Sequence, residues 1–243
     1  MSNQQTHEQL KGLRLSGMAE AFQHQLGDPM FMDIGFEQRV QMMVEAELAR
    51  RDTQRYEKLL KAAKLRVLAV PEDIDYRAGR GLEKTVVADL LNCTWINHHR
   101  NLLVTGATGT GKTWLACAFA VKAARLGYSI VYQRTSLALE SMAIAHETGT
   151  IEKIRGQLTR PQLLILDDFG LVSMTQRNKT DLLELVERRA DCSTIVAGQL
   201  PVKQWHDFID DPALADAIMD RWVYSSRKIE LKGESMRKLK AKG

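Results

Sequence analysis

The chain has 243 residues, 44% of them apolar and 26% charged, with a formal net charge of +4; this is enough for one α/β domain with a smaller appendage, and it excludes a disordered chain or a mini-protein. Its three cysteines, Cys93, Cys117 and Cys192, form no CxxC pair, which argues against a disulfide or zinc framework and for a reducing, cytoplasmic setting. The first residues lack the positive-then-apolar order of a secretory signal and no apolar run approaches the ~18 residues of a membrane span, so neither secretion nor a membrane partner is expected.

From Leu10 to about Lys64 the pattern is helical. Leu10, Leu13, Met18, Phe22 and Leu26 recur near helical spacing until Gly27, Asp28 and Pro29 interrupt it. A second helix is predicted from near Phe36, burying Phe36, Val40, Met43, Val44 and Leu48; Asp52 or Thr53 either caps a third helix or lies within one long one. Residues 1–66 therefore read as a helical domain, residues 67–84, with Pro71, Gly79 and Gly81, as a connector, and residues 85–243 as the main domain.

Charge divides the helical domain. Residues 1–49 carry a net −4 and residues 50–66 a net +5. Arg51, Arg55 and Lys58 stand at i, i+4 and i+7 and share one helical face, which Arg50, Lys61 and Lys64 broaden. Concentrated positive charge attracts polyanions through counterion release, and the segment has no Asn or Gln base-reading pattern. The expectation is contact with the phosphates of duplex DNA; the alternative is a solvated basic surface. A second basic segment, residues 227–243, also carries +5.

Beyond residue 84, apolar runs alternate with amphipathic stretches, the mark of a parallel sheet covered by helices. Strands are predicted at 101–105, 128–133, 163–167 and 194–197, and helices at 112–126, 136–146 and 177–191. Directly after the first strand comes GATGTGKT, made of Gly106, Ala107, Thr108, Gly109, Thr110, Gly111, Lys112 and Thr113, which matches GxxxxGK[ST] in its required strand, loop and helix context. The glycines permit a turn whose amides point at a phosphate chain, and the helix N-terminus adds positive potential. Lys112 is expected to reach the β and γ phosphates of ATP, and Thr113 to place its hydroxyl on Mg²⁺.

The run LLILDD ends an apolar strand in two carboxylates. Asp167 is the expected second Mg²⁺ ligand, and Asp168 is placed to orient and deprotonate the attacking water. Between Thr113 and Asp167 the chain fits a helix, a strand and a further helical region, so one strand can lie between the phosphate-loop strand and the acidic strand. That pattern resembles the additional-strand NTPases and points to ATP, and a guanine-reading NKxD loop is not expected.

The basic stretch ELARRDTQRYEKLLKAAKLR, the loop GATGTGKT, the strand LLILDDFG, the segment LADAIMDRW and the terminal GESMRK together resemble the IstB-type ATPases, the transposition helpers of bacterial insertion sequences, and more distantly the DnaC helicase loader and DnaA. The resemblance implies an AAA+ P-loop NTPase core of α/β class, a parallel sheet flanked by helices, with a small all-helical N-terminal domain and a reduced C-terminal lid. It implies a bacterial cytoplasmic protein that self-associates into a ring or helical filament on duplex DNA and recruits or activates a partner transposase. By position it gives Arg221 as an arginine finger, Arg237 as a sensor-2 arginine and Gln199 as the polar sensor after the fourth strand. Asp168 stands where many AAA+ proteins carry glutamate, and the shorter side chain predicts slow, DNA-stimulated turnover. Two other readings stand beside the helper: a DnaC-like loader that holds single-stranded DNA, and an adaptor that binds ATP and a protein but barely hydrolyses.

Overall fold

The computed structural model describes residues 2–76, 79–224 and 226–236. By packing the chain divides into two units, Met1–Lys58 and Leu59–Gly243. Among the described residues no helix is long and apolar enough to cross a membrane.

The first unit begins with α1 (Asn3–Gly12), held by a capping box in which Ser2 and Gln5 satisfy each other's backbone amides. Arg14 takes a left-handed φ of 61° and separates α1 from α2 (Ser16–Gly27). Asp28 then caps the short 3-10 turn Pro29–Phe31. Helix α3 (Phe36–Ala63) runs unbroken for 28 residues, so Asp52 and Thr53 lie inside one long helix rather than at a new cap.

The expected buried stripe on α3 is corrected in part: Val40 and Met43 are half-buried, the other three are not. Phe36 is 80% exposed, Leu48 56% exposed, and Val44 is also at the surface. The inward face instead carries polar groups that clasp α2. Glu47 Oε2 accepts from the Gly17 and Met18 amides at 2.7 and 3.3 Å, supplying the cap that α2 lacks from its own Leu15. Gln25 and Arg39 exchange two hydrogen bonds, and Arg50 pairs with Glu20 at 2.7 Å. A Cβ on Gly17 would sit 2.7 Å from the Ala46 carbonyl oxygen, so the backbones approach more closely there than any other residue permits. These contacts fix the rotation of α3, and a buried carboxylate with three donors outweighs the apolar ridge that would otherwise turn inward.

In the second unit, a 3-10 turn (Pro71–Asp73), α4 (Lys84–Leu91) and α5 (Thr94–Asn97) precede β1 (Asn101–Gly106), α6 (Lys112–Arg125), β2 (Ile130–Arg134), α7 (Thr135–Glu147), α8 (Ile151–Thr159) and β3 (Leu163–Phe169). There follow α9 (Gln176–Arg188), β4 (Ser193–Gly198), α10 (Trp205–Ile209), α11 (Pro212–Val223) and β5 (Ser226–Leu231). The sheet is parallel in the order β2-β3-β4-β1-β5. Strands β1, β3 and β4 are buried almost end to end, as strands covered by helices on both faces must be.

Two expectations are adjusted. The strand that intervenes in sequence between the phosphate loop and the acidic run, β2, takes the sheet edge, and β4 fills the place between β1 and β3. A fifth strand, β5, pairs with β1; its SRKIEL sequence alternates charge and apolar side chains because it is an edge strand. Phe169 at the end of β3 packs against Trp205 and Trp222 with ring centroids 4.7 and 5.4 Å away, anchoring α10 and α11 to the sheet.

Burial pushes the Glu47 carboxyl up, but the Arg51 hydrogen bond and the Gly17 and Met18 amides outweigh it and hold it below the ordinary value of 4.5. Its contribution to stability is therefore complete above 4.5 and fades as pH falls through the lower folded value. Glu47→Ala should speed hydrogen exchange at the Gly17 and Met18 amides at pH 7 while leaving β1, β3 and β4 protected. Acidification of the wild type below 4.5 should reproduce the effect, and unchanged exchange at these amides would remove Glu47 from its capping role.

Candidate nucleotide site

Parallel pairing brings the carboxyl ends of β1, β3 and β4 to one edge of the sheet, where ligand crevices of such sheets form. Strand β1 ends at Gly106, whose φ of +146° and close approach to the Leu231 carbonyl leave no room for a Cβ. The loop turns through Gly109 and reaches Gly111, which caps α6 in the left-handed region with no side-chain cap hydrogen bond. The first amides of α6 are thus left for an anionic ligand. The loop is held from outside: the Arg80 guanidinium donates to the Thr110 carbonyl at 2.8 Å, and the Met236 amide donates to the Gly109 carbonyl at 2.9 Å.

Lys112 Nζ donates to the Gly106 and Ala107 carbonyls at 2.8 and 2.9 Å. Burial holds its pKa below the ordinary lysine value, against the opposing pull of Asp167 and Asp168. Thr113 Oγ1 donates to Asp167 Oδ2 at 2.7 Å, and the Tyr132 hydroxyl donates to the same oxygen at 2.7 Å. Burial and the Asp167 hydrogen bond push the Tyr132 phenol well above its usual range, so it remains a donor. Asp167 is 1% exposed, and its Oδ1 has no hydrogen-bond partner among the described residues. A buried carboxylate oxygen without a donor, beside a threonine hydroxyl and a phosphate loop, fits a divalent cation of the Mg²⁺ type, which needs one or two carboxylates and completes its shell from phosphates and water.

Asp168 is aimed differently. The register between β3 and β4 shifts between Leu166 and Phe169, and Asp168 adopts a φ of 57°, which takes it out of regular strand geometry. Its Oδ2 accepts from Arg134 Nε at 3.0 Å and from Arg66 at 3.3 Å. Gln199 follows β4 and accepts from Thr108 Oγ1 at 2.8 Å. Asp168, Arg66, Gln199 and Thr108, with Lys112, Thr113 and Trp114, line a cavity of about 530 Å³, a volume within the range of cofactor pockets.

The structure therefore brings residues 106–113, Asp167, Asp168 and Gln199 to one place. Arg221 lies on α11 away from this cavity, donating to Glu187 at 2.9 Å and to the Ala217 carbonyl at 2.9 Å. Arg237 lies outside the described residues. Arg51, Arg55 and Lys58 are exposed on α3, with Arg51 paired to Glu47 at 2.7 Å. Arg50 pairs with Glu20, Lys61 is exposed on the last turn of α3, and Lys64 lies just past its end with φ 50°. Residues 178–181 do spell Asn-Lys-Thr-Asp, against the expectation, but inside α9. There Lys179 donates to the Asp210 carbonyl and Asp181 meets Arg155 and His146, so the string is packing rather than a base-reading loop.

Sequence reasoning missed Tyr132, Arg134, Arg66 and Arg80. Arg134 had one legible signal, its place at the end of an apolar run whose neighbour in the sheet ends in Asp167. Arg66 closes the basic stretch 50–66, but nothing there pointed to the nucleotide site, and Arg80 had no signal, since both come from irregular chain.

The sequence pattern of the IstB-like ATP binding protein family matches residues 8–242. An insertion-sequence ATP-binding protein of Sinorhizobium fredii is 39% identical over 234 residues, covering 96% of each chain. The ATP-binding protein of insertion sequence IS1162 from Pseudomonas fluorescens is 44% identical over 203 residues, covering 83% of this chain and 88% of its own. Among solved structures, the fold is similar to AMPPCP-bound DnaA from Aquifex aeolicus, with a TM-score of 0.59 at 21% identity over 73% of this chain and 56% of that one. It is similar also to DnaI, with a TM-score of 0.58 at 19% identity over 74% and 98%. At such identities the structural likeness speaks for the fold, whereas the sequence matches run over nearly the whole length, and the chain belongs to the family of IstB-like ATP-binding proteins.

Proposed function

We propose that this protein is the ATP-driven helper of an insertion sequence: it assembles on duplex DNA in its ATP-bound form and recruits or activates the partner transposase. The observation that carries the reading is the meeting of Lys112, Thr113 and Asp168 in one cavity, with Thr113 hydrogen-bonded to Asp167, on a chain whose relatives are insertion-sequence ATP-binding proteins. Residues 106–111 cradle the triphosphate with their amides, and Lys112 leaves the loop carbonyls to neutralise the β and γ oxygens. Thr113 and Asp167 hold Mg²⁺, which when bound offsets charge on the phosphates. Asp168 orients the attacking water and accepts its proton, while Gln199, tied to Thr108, faces the γ phosphate. A carboxylate already engaged by two guanidinium groups supports slow basal turnover.

Assembly is heterologous, head to tail, the contact class that generates rings and helical filaments. Arg221 reaches the γ phosphate of the neighbouring protomer, where a planar, permanently charged group suits the developing charge; Arg237 is the proposed sensor of its own nucleotide. Arg51, Arg55 and Lys58, broadened by Arg50, Lys61 and Lys64, contact DNA phosphates. A DnaC-like loader that grips single-stranded DNA is the second reading, favoured by the likeness to the DnaC helicase loader, with a TM-score of 0.53.

Lys112→Ala should weaken binding of a fluorescent ATP analogue by about tenfold or more, the loss of a charge-assisted phosphate contact. Asp168→Asn should lower kcat by about 10²-fold or more with nucleotide affinity little changed. Arg221→Ala should cut the ATPase rate by about 10³-fold and abolish ATP-dependent assembly; a variant that assembles and hydrolyses normally removes the finger. Reversing charge at Arg51, Arg55 and Lys58 should flatten the salt dependence of duplex binding by about three contacts while nucleotide affinity holds. Preference for single strands in the same assay would favour the loader.

A further inference from the structure

Two guanidinium groups meet Asp168, and they have different origins. Arg134 ends β2 and is placed by the sheet. Arg66 comes from the irregular segment after α3, three residues beyond the helix's last residue, Ala63, and two beyond Lys64. Its NH1 lies 3.3 Å from Asp168 Oδ2 and 3.9 Å from Asp167 Oδ2. It also stands beside the Tyr132 phenol, whose hydroxyl donates to Asp167. One side chain therefore touches the water-facing carboxylate, the metal-facing carboxylate and the phenol between β2 and the acidic strand. With 43% of its side chain exposed, it reaches this cluster from the solvent side. The phosphate loop is held by other contacts, from Arg80 and the Met236 amide, and Lys112 donates to the loop's own Gly106 and Ala107 carbonyls.

We infer that Arg66 is a positioning residue of the ATPase reaction, a tethered cation that occupies Asp168 and competes with the divalent ion for Asp167 until the end of α3 is engaged by a polyanion. Its charge stands where the hydrolytic end of the site needs a water and a metal. An ion pair at 3.3 Å with one oxygen is weaker than the forked contact a guanidinium makes with phosphate, so a phosphate held by Lys61 and Lys64 is a better partner for Arg66 than Asp168. Lys64 is left-handed and only one residue separates it from Arg66, so movement of one carries the other. The same residue thus sets a low basal rate and links it to the charge state of the basic helix end. The link to DNA rests on the proposed duplex binding; the effect on Mg²⁺ and on the basal rate does not.

The test compares Arg66→Gln and Arg66→Lys with the wild-type full chain in three measurements: the Mg²⁺ dependence of binding of fluorescent ADP, the steady-state ATPase, and its stimulation by duplex DNA. Arg66→Gln should lower the Mg²⁺ concentration at half-saturation and raise basal kcat, each by about two- to fivefold, the span of a solvent-accessible ion pair, with KM for ATP little moved. Duplex stimulation should fall by a similar factor although the duplex still binds. Arg66→Lys, which keeps the charge and loses the fork, should move less on every readout. In an Asp168→Asn background, Arg66→Gln should no longer raise the residual rate. A fall in kcat, or an unchanged Mg²⁺ half-point with an unchanged rate, overturns the inference; a fall would make Arg66 a catalytic group in its own right. Should Arg66→Gln melt early by circular dichroism, Arg66→Met carries the same readouts. If duplex DNA fails to bind wild type and variant alike, the DNA-binding reading falls while the Mg²⁺ and basal-rate results still decide the role of Arg66.

Discussion

The hydrogen bond from Thr113 to Asp167, 2.7 Å long, is the contact on which the rest of the site depends. It joins the first turn of α6 to the end of β3, across the intervening strand β4, and so ties the phosphate loop to the acidic strand. Both groups are fixed by the layers beneath them: Thr113 by a helix whose inner face is small and apolar, and Asp167 by a strand buried on both sides. Once those two are joined, Asp167 Oδ1 is left without a donor among the described residues, and it is enclosed. Polar groups so buried are costly unless matched, which gives the cavity its preference for a small cation beside a phosphate chain.

The same constraint separates the two carboxylates chemically. Asp167 stays in strand geometry and faces the loop. Asp168 lies within the shift of register and within the reach of cations from β2 and from the segment that leaves α3. Adjacent residues of one type thereby acquire different hydrogen-bond partners, Thr113 and Tyr132 for Asp167 and Arg134 and Arg66 for Asp168, which supports the proposed division of labour between metal holding and water activation.

The N-terminal unit follows another logic. Its helices are joined by polar clasps, Glu47 to the α2 amides and Gln25 to Arg39, while the apolar ridge of Phe36, Val44 and Leu48 stays at the surface. Hydrophobic spacing indicated that α3 was a helix and misjudged which side turned inward. Periodicity reports the existence of an apolar face, but Gly17 decides where two backbones can touch, and the buried Glu47 must then follow its donors. In the ATPase unit the phosphate loop, the acidic run and the four strands β1 to β4 were legible because each is a local pattern. Strand β5 was not, since an edge strand with alternating charge looks like a surface loop, and the Asn-Lys-Thr-Asp string in α9 shows that four matching letters without their loop carry no chemistry.

The order of residue types by itself determined that a strand, a glycine turn and a helix would present amides and Lys112 to phosphate, and that carboxylates would end a buried strand. Local spacing suffices for that, because the loop's ligands are neighbours in the chain. Only the tertiary structure decided which groups those carboxylates meet: Thr113 lies 54 residues from Asp167 and Arg66 lies 102 from Asp168. Contacts at such separations are set by strand order and register, which depend on how every layer packs at once. For that reason the phosphate loop of the candidate site could be read from the sequence, while the cations that meet Asp168 came into view only in the folded chain.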